Sequence, residues 1–149
     1  MTSLLYKIYP LLCGGLCGAQ LFFAAAAAQV VFPREVAALP RDDARRKLAA
    51  DLVGGMLARL DAATIALTAA AILCAVLISQ RRAALLPLLA GLCAAASVAF
   101  ITPRIHAMRE AGETSLPRFG LLHAVSSSLL LVEMILLCIA ALRAPESAA

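Results

Sequence analysis

The chain has 149 residues, 63% of them hydrophobic and 15% charged, with a mean hydropathy of +0.93. A soluble domain is about 45–50% apolar, so a water-exposed fold of this size is excluded and the solvent must largely be lipid. The net charge of +4 does not indicate nucleic acid, because the cations fall in the gaps between apolar runs, with no basic stripe and little aromatic interleaving. Cations in such gaps suit the anionic headgroup layer instead.

Four apolar runs are long enough to cross a bilayer, which takes ~20 residues of helix. The predicted fold is all-α: a polytopic membrane protein, one domain over residues 1–149, built as a four-transmembrane-helix antiparallel bundle. The first run covers residues 8–32 and carries no charge. Pro10 falls in its expected first turn, where the missing N–H costs little, and Pro33 ends it. The run outlasts the ~7–15 residue core of a signal peptide, so it is predicted to remain as a span. Gly14 and Gly18 form a small-xxx-small pair suited to close helix packing.

Residues 33–59 form the first long loop. Pro40 followed by Asp42 and Asp43 reads as a turn and an N-cap. An amphipathic lead-in over residues 44–59 follows, with Leu48, Leu52, Met56 and Leu60 recurring every fourth position. Gly54-Gly55 marks the expected bend into the second span. The lead-in reads as an interfacial helix or as a surface for a partner.

The second run, 60–79, and the third, 83–102, are joined only by Gln80-Arg81-Arg82, which makes them antiparallel neighbours. Pro87 sits early in the third. Residues 103–118 contain Gly112 and Pro117 and read as an extra turn of helix and a loop. The fourth run is 119–142, and the Ala/Ser-rich tail beyond Arg143 is expected to be mobile. The five cysteines, Cys13, Cys17, Cys74, Cys93 and Cys138, all lie in apolar runs. They read as packing residues, and their odd number argues against a disulfide framework.

Four crossings place both termini on one side. That side holds four cations, Lys7, Arg81, Arg82 and Arg143, against nine on the other: Arg34, Arg41, Arg45, Arg46, Lys47, Arg59, Arg104, Arg109 and Arg118. The positive-inside rule then makes the two long loops, 33–59 and 103–118, cytoplasmic and both termini external.

The fourth run carries the chemistry. At ~100° per residue, His123, Ser126, Leu130 and Glu133 share one face, and in lipid that face must turn toward protein or trapped water. Glu133 lies near mid-bilayer. Gln20, halfway along the first run, lies at comparable depth, which predicts a Gln20–Glu133 interhelical hydrogen bond. The pair reads as packing glue or as part of a proton or ion relay.

The loop-side helix ends gather Arg34, Arg59, Asp61, Arg104, His106 and His123. One reading is a set of interfacial side chains solvated by headgroups. The other is a basic vestibule for a small solute or proton, with Arg59 and Arg104 as cations and Asp61 as counter-ion. His106 and His123 also raise an alternative, a haem-b-binding oxidoreductase subunit, which needs both imidazoles in an apolar slot. No nucleophile–base spacing or paired metal ligands are evident, so a non-enzymatic protein with no metal and no cofactor is expected.

The segment Phe119-Gly120-x-Leu122-His123-x-x-Ser126 opens the last span. Thr102-Pro103-Arg104 with Met108 follows the third, and the Gly-rich first span ends Phe32-Pro33. In this order and spacing they resemble the transmembrane-protein-205-like family, whose bacterial members form a domain-of-unknown-function group. The resemblance implies a small four-helix protein, in bacteria of the inner (plasma) membrane. It singles out Pro103, Arg104, Phe119, His123 and Ser126. Some eukaryotic relatives are associated with platinum-drug tolerance, but this chain shows no matching metal site and that role is not carried over. The lipid bilayer is the expected partner. The small residues permit a homo-oligomer or a place as a small subunit of a larger membrane complex.

Overall fold

A backbone immersed in hydrocarbon must bond to itself, and long runs of Leu and Ala do so as helices. In the computed structural model, which describes residues 2–40 and 42–145, no strand occurs among the described residues. Arg41, counted above among the loop-side cations, and the tail 146–149 lie outside the described residues.

Four helices are long and apolar enough to cross a membrane: α1 (Ser3–Val31), α3 (Ala44–Leu77), α4 (Arg81–Glu110) and α5 (Pro117–Leu142). A short helix, α2 (Arg34–Ala37), lies in the first loop. Neighbours pack in a closed ring, α1 on α3, α3 on α4, α4 on α5 and α5 back on α1. With the alternating direction of successive spans, this is an antiparallel four-helix bundle.

Burial is inverted relative to a soluble protein. Leu11 is 72% exposed, Phe22 66% and Leu142 81%, while Gln20, Asp61, Thr64, Thr68, Ser97, Ser126 and Glu133 are buried. The apolar core is made of small groups such as Ala71, Ala75, Ala90 and Ala140, closed by Tyr9, Leu16 and Leu137. Leucines outside with alanines and polar groups inside is the arrangement expected when lipid, not water, surrounds the bundle. The fold defines a polytopic integral membrane protein.

Several local features differ from expectation. The first helix begins before residue 8, because Leu4, Leu5 and Tyr6 extend its apolar pattern and the Tyr9 hydroxyl donates to the Ala83 carbonyl at 2.6 Å. Pro10 is therefore inside the helix rather than in its first turn. Gly14 stands 3.7 Å from Ala141 of α5, measured from where its Cβ would be, whereas Gly18 faces outward. α3 runs as one α-helix of 34 residues through Gly54 and Gly55, with no break there. At ~1.5 Å per residue it is about 50 Å long, well beyond the ~30 Å hydrocarbon layer, so its charged N-terminal part stands clear of the core. Gly54 makes room rather than a bend: a Cβ there would lie 3.1 Å from Arg109 Nη1, which crosses from α4 to donate to the Ala50 carbonyl.

The caps follow from the loop residues. Asp43 is the N-cap of α3 and accepts from the Arg45 backbone N–H at 2.8 Å. Ser79, at φ 60°, ends α3 with Gln80 N–H bonded back to Ala75. Gly112, at φ 71°, ends α4 in the same way, with Glu113 N–H bonded to Met108. The Arg45 side chain first, then its backbone N–H, holds the Asp43 carboxyl below its ordinary value. A carboxyl lowered in the folded state stabilises above its unfolded pKa, and the contribution is lost as pH falls through the folded one. The first turn of α3 is thus expected to fray on acidification below the ordinary aspartate range, visible as loss of protection at the Arg45 amide. Asp43→Asn should remove most of that pH dependence.

Two spans contain a π-helical turn: Phe23–Ala27 in α1 and Ser97–Ile101 in α4. The second has a cause in the sequence. Pro103 has no N–H for the Ala99 carbonyl and its ring crowds that carbonyl, and the wider turn just before it accommodates both. The first is made largely of alanine, so nothing in its own sequence demands it.

Candidate functional site

The site lies between the four spans, and each contributes a polar side chain. Gln20 comes from α1, Asp61 and Thr64 from α3, Ser97 from α4 and Glu133 from α5, all buried. Gln20 Nε2 donates to Glu133 Oε2 at 2.9 Å and to Thr64 Oγ1 at 3.1 Å. Ser97 Oγ donates to Asp61 Oδ2 at 3.2 Å. Asp61 stands three residues from Thr64 on α3, on the same face of the helix. Thr68 Oγ1 donates to the Thr64 carbonyl at 2.6 Å and lies against Gly91, where a Cβ would meet it at 2.7 Å. Among the described residues one buried side-chain acceptor is left over: Gln20 Oε1 has no hydrogen-bond partner.

Helix periodicity explains why these side chains converge. Asp61, Thr64 and Thr68, at spacings of three and four, form one stripe of α3. On α5, Ser126 and Glu133 are buried two turns apart, with Leu130 between them half-buried. The neighbouring Ser127 and Ser128 face outward and bond back to the His123 and Ala124 carbonyls.

A cleft of about 1020 Å³ opens on the loop side, between the end of α1, the start of α3 and the α4–α5 loop. Phe32, Phe119 and Leu116 supply apolar lining, and His123 stands at its inner edge. Arg46, Lys47 and Arg109 are set against Asp42, Asp51 and Glu110, so the cleft is mixed in charge rather than basic. Two of the cations are engaged: Arg46 bonds the Leu39 carbonyl at 2.5 Å, and Arg109 bonds Ala50 and lies 3.9 Å from Asp51. At ~1.5 Å per residue, the buried network is about 12 Å deeper than the cleft along α1 (Ala28 to Gln20) and along α3 (Val53 to Asp61), and about 15 Å along α5 (His123 to Glu133).

The structure therefore divides the polar residues differently from the expected vestibule. Gln20 and Glu133 are brought together, and Ser126 is on the same inner face. Phe119 and His123 line the cleft. Arg59, Pro103, Arg104 and His106 are exposed and do not line it. Asp61 cannot be the counter-ion of Arg59: two residues apart on a helix, they face about 200° apart, and Asp61 turns into the core. The inward face near Arg104 belongs instead to Ile105 and Met108. Both imidazoles are exposed and only His123 borders the cleft, so they do not form the facing pair that haem requires. All five cysteines are unbridged. Among the described residues no three His, Cys, Asp or Glu side chains are grouped to hold a metal.

Thr64, Thr68, Ser97 and Gly91 were not anticipated. The Asp61–Thr64–Thr68 spacing was a usable signal. Ser97 continues the buried stripe Pro87–Ala90–Ala94 of α4 at the same spacings, but a run apolar on every side does not mark which face turns inward. Comparison with family models, with curated proteins and with solved structures finds no match to this chain.

Proposed function

We propose that this membrane protein handles protons, with the Gln20–Glu133–Asp61 network as the loading site and the loop-side cleft as its entrance. The observation that carries the reading is the composition of the buried polar set: two carboxyls, Asp61 and Glu133, with no Lys, Arg or His buried beside them among the described residues. Two uncompensated carboxylates inside a lipid-embedded bundle are prohibitively costly, so the site works only by taking up positive charge.

Gln20 is suited to either state. Its amide N–H groups serve an ionised Glu133. A half-turn of the carboxamide presents Oε1 to a protonated one, exchanging donor for acceptor without moving the helix. Ser126 and His123 mark the path along α5 from the network to the cleft. π turns are frequent at functional positions; one lies on the loop side of Gln20, and the other begins at Ser97 of the network and runs toward the loop side. The excess of cations on the long loops favours a cytoplasmic cleft in a bacterial inner membrane, and we extend the proposal to kinship with the transmembrane-protein-205-like family on the motifs quoted above.

The test is proton flux in reconstituted vesicles after an external acid step, read by an entrapped pH dye. Wild-type protein is expected to collapse the gradient faster than protein-free vesicles, and Glu133→Gln, folded by its thermal melt, is expected to return the rate to the protein-free level. Equal rates for wild type and empty vesicles would remove the proposal.

A further inference from the structure

The leftover acceptor in the buried network points beyond protons. Gln20 spends both amide hydrogens on Thr64 and Glu133, which leaves Oε1 fully buried without a donor. Thr64 Oγ1, Glu133 Oε2 and Asp61 Oδ2 each accept a bond, the first two from Gln20 and the third from Ser97. The network is thus built of hard oxygen groups, and one of them, Gln20 Oε1, has no donor.

We infer that a monovalent cation of sodium's size competes with protons for this network, held by the Gln20 carbonyl, the Thr64 hydroxyl and the two carboxylates. The inference rests on the proton-loading reading and names a second occupant of the same site. Oxygen donors of this type select hard cations over transition metals. A monovalent ion leaves one carboxyl to hold a proton, whereas calcium takes ~6–8 oxygens and magnesium gives up its water reluctantly. One sodium ion and one proton together neutralise both carboxyls. Their exchange costs no helix movement, since the carboxamide presents its carbonyl to the ion and its amide hydrogens to a carboxylate.

The probe is dicyclohexylcarbodiimide, an apolar reagent that adds to a protonated carboxyl in membrane surroundings. The full chain in detergent is treated at constant ionic strength in choline, sodium, potassium or calcium chloride, and modification of Glu133 and Asp61 is read by peptide mass spectrometry. Glu133 is expected to be modified in choline and protected by sodium, with the sodium needed for half-protection rising as pH falls. Potassium and calcium are expected to protect less. Thr64→Val removes one ligand while conserving shape, and should leave modification intact while weakening protection several-fold.

Modification that depends on pH but not on sodium would overturn the cation and leave the proton reading standing. Protection by calcium but not sodium would overturn the choice of ion. Failure to modify either buried carboxyl at any pH, while the exposed Glu110 is modified by a water-soluble carbodiimide, would overturn both readings.

Discussion

Gln20→Leu is expected to destabilise the bundle by ~1–3 kcal/mol, the cost of leaving a buried polar group without its partner. That exceeds the ~0.6 kcal/mol average for an interhelical hydrogen bond in a membrane, because the substitution strands the Glu133 carboxyl as well as removing a bond. The double variant Gln20→Leu/Glu133→Leu should recover most of the loss, since it leaves no carboxyl to strand and the new side chains are apolar. Reversible unfolding in mixed micelles measures the wild type, Gln20→Leu, Glu133→Leu and the double variant. If the double variant is as unstable as the sum of the two single ones, Gln20 and Glu133 are not paired.

A second large effect is expected at a residue with no polar atoms in its side chain. Gly91 of α4 faces Thr68 of α3 so closely that an added Cβ would lie 2.7 Å from Oγ1 and 3.4 Å from the Thr68 Cβ. Thr68 is 1% exposed and bonded to the Thr64 carbonyl, so it cannot swing away without cost. Overpacking of this kind costs ~1–3 kcal/mol, and Gly91→Ala should fall in that range. Thr68→Ala introduced into Gly91→Ala removes the clashing hydroxyl and should restore stability by a thermal melt. An equal loss with and without Thr68→Ala would show that the close approach of α3 and α4 is not at this point.

These two sites show what sequence alone reveals and what it hides. Glu133 announces itself as the one acid in an apolar run, and counting residues from the helix ends sets Gln20 at its depth. The four spans and the tight turn between α3 and α4 follow from hydropathy and loop length. Asp61 was legible in type but not in direction. Its place two residues after Arg59 suggested a helix end, whereas the same spacing at ~100° per residue turns the two side chains to opposite sides. Ser97 and Gly91 were hidden for a different reason: both depend on which face of α4 meets its neighbours, and a span rich in Ala and Leu on every side does not mark that face. The cleft escaped because it joins segments far apart in sequence, the start of α3 and the α4–α5 loop, through side chains such as Arg109.

Solid-state NMR on the protein in lipid bilayers tests the buried pairing of α1 with α5 most directly. With nitrogen labelled in the glutamine side chains and carbon in the glutamate carboxyls, a through-space correlation is expected between Gln20 Nε2 and the Glu133 carboxyl carbon, and it should vanish in Glu133→Leu. Spectra in which the assigned Glu133 carboxyl correlates with lipid chains and not with Gln20 would contradict the account.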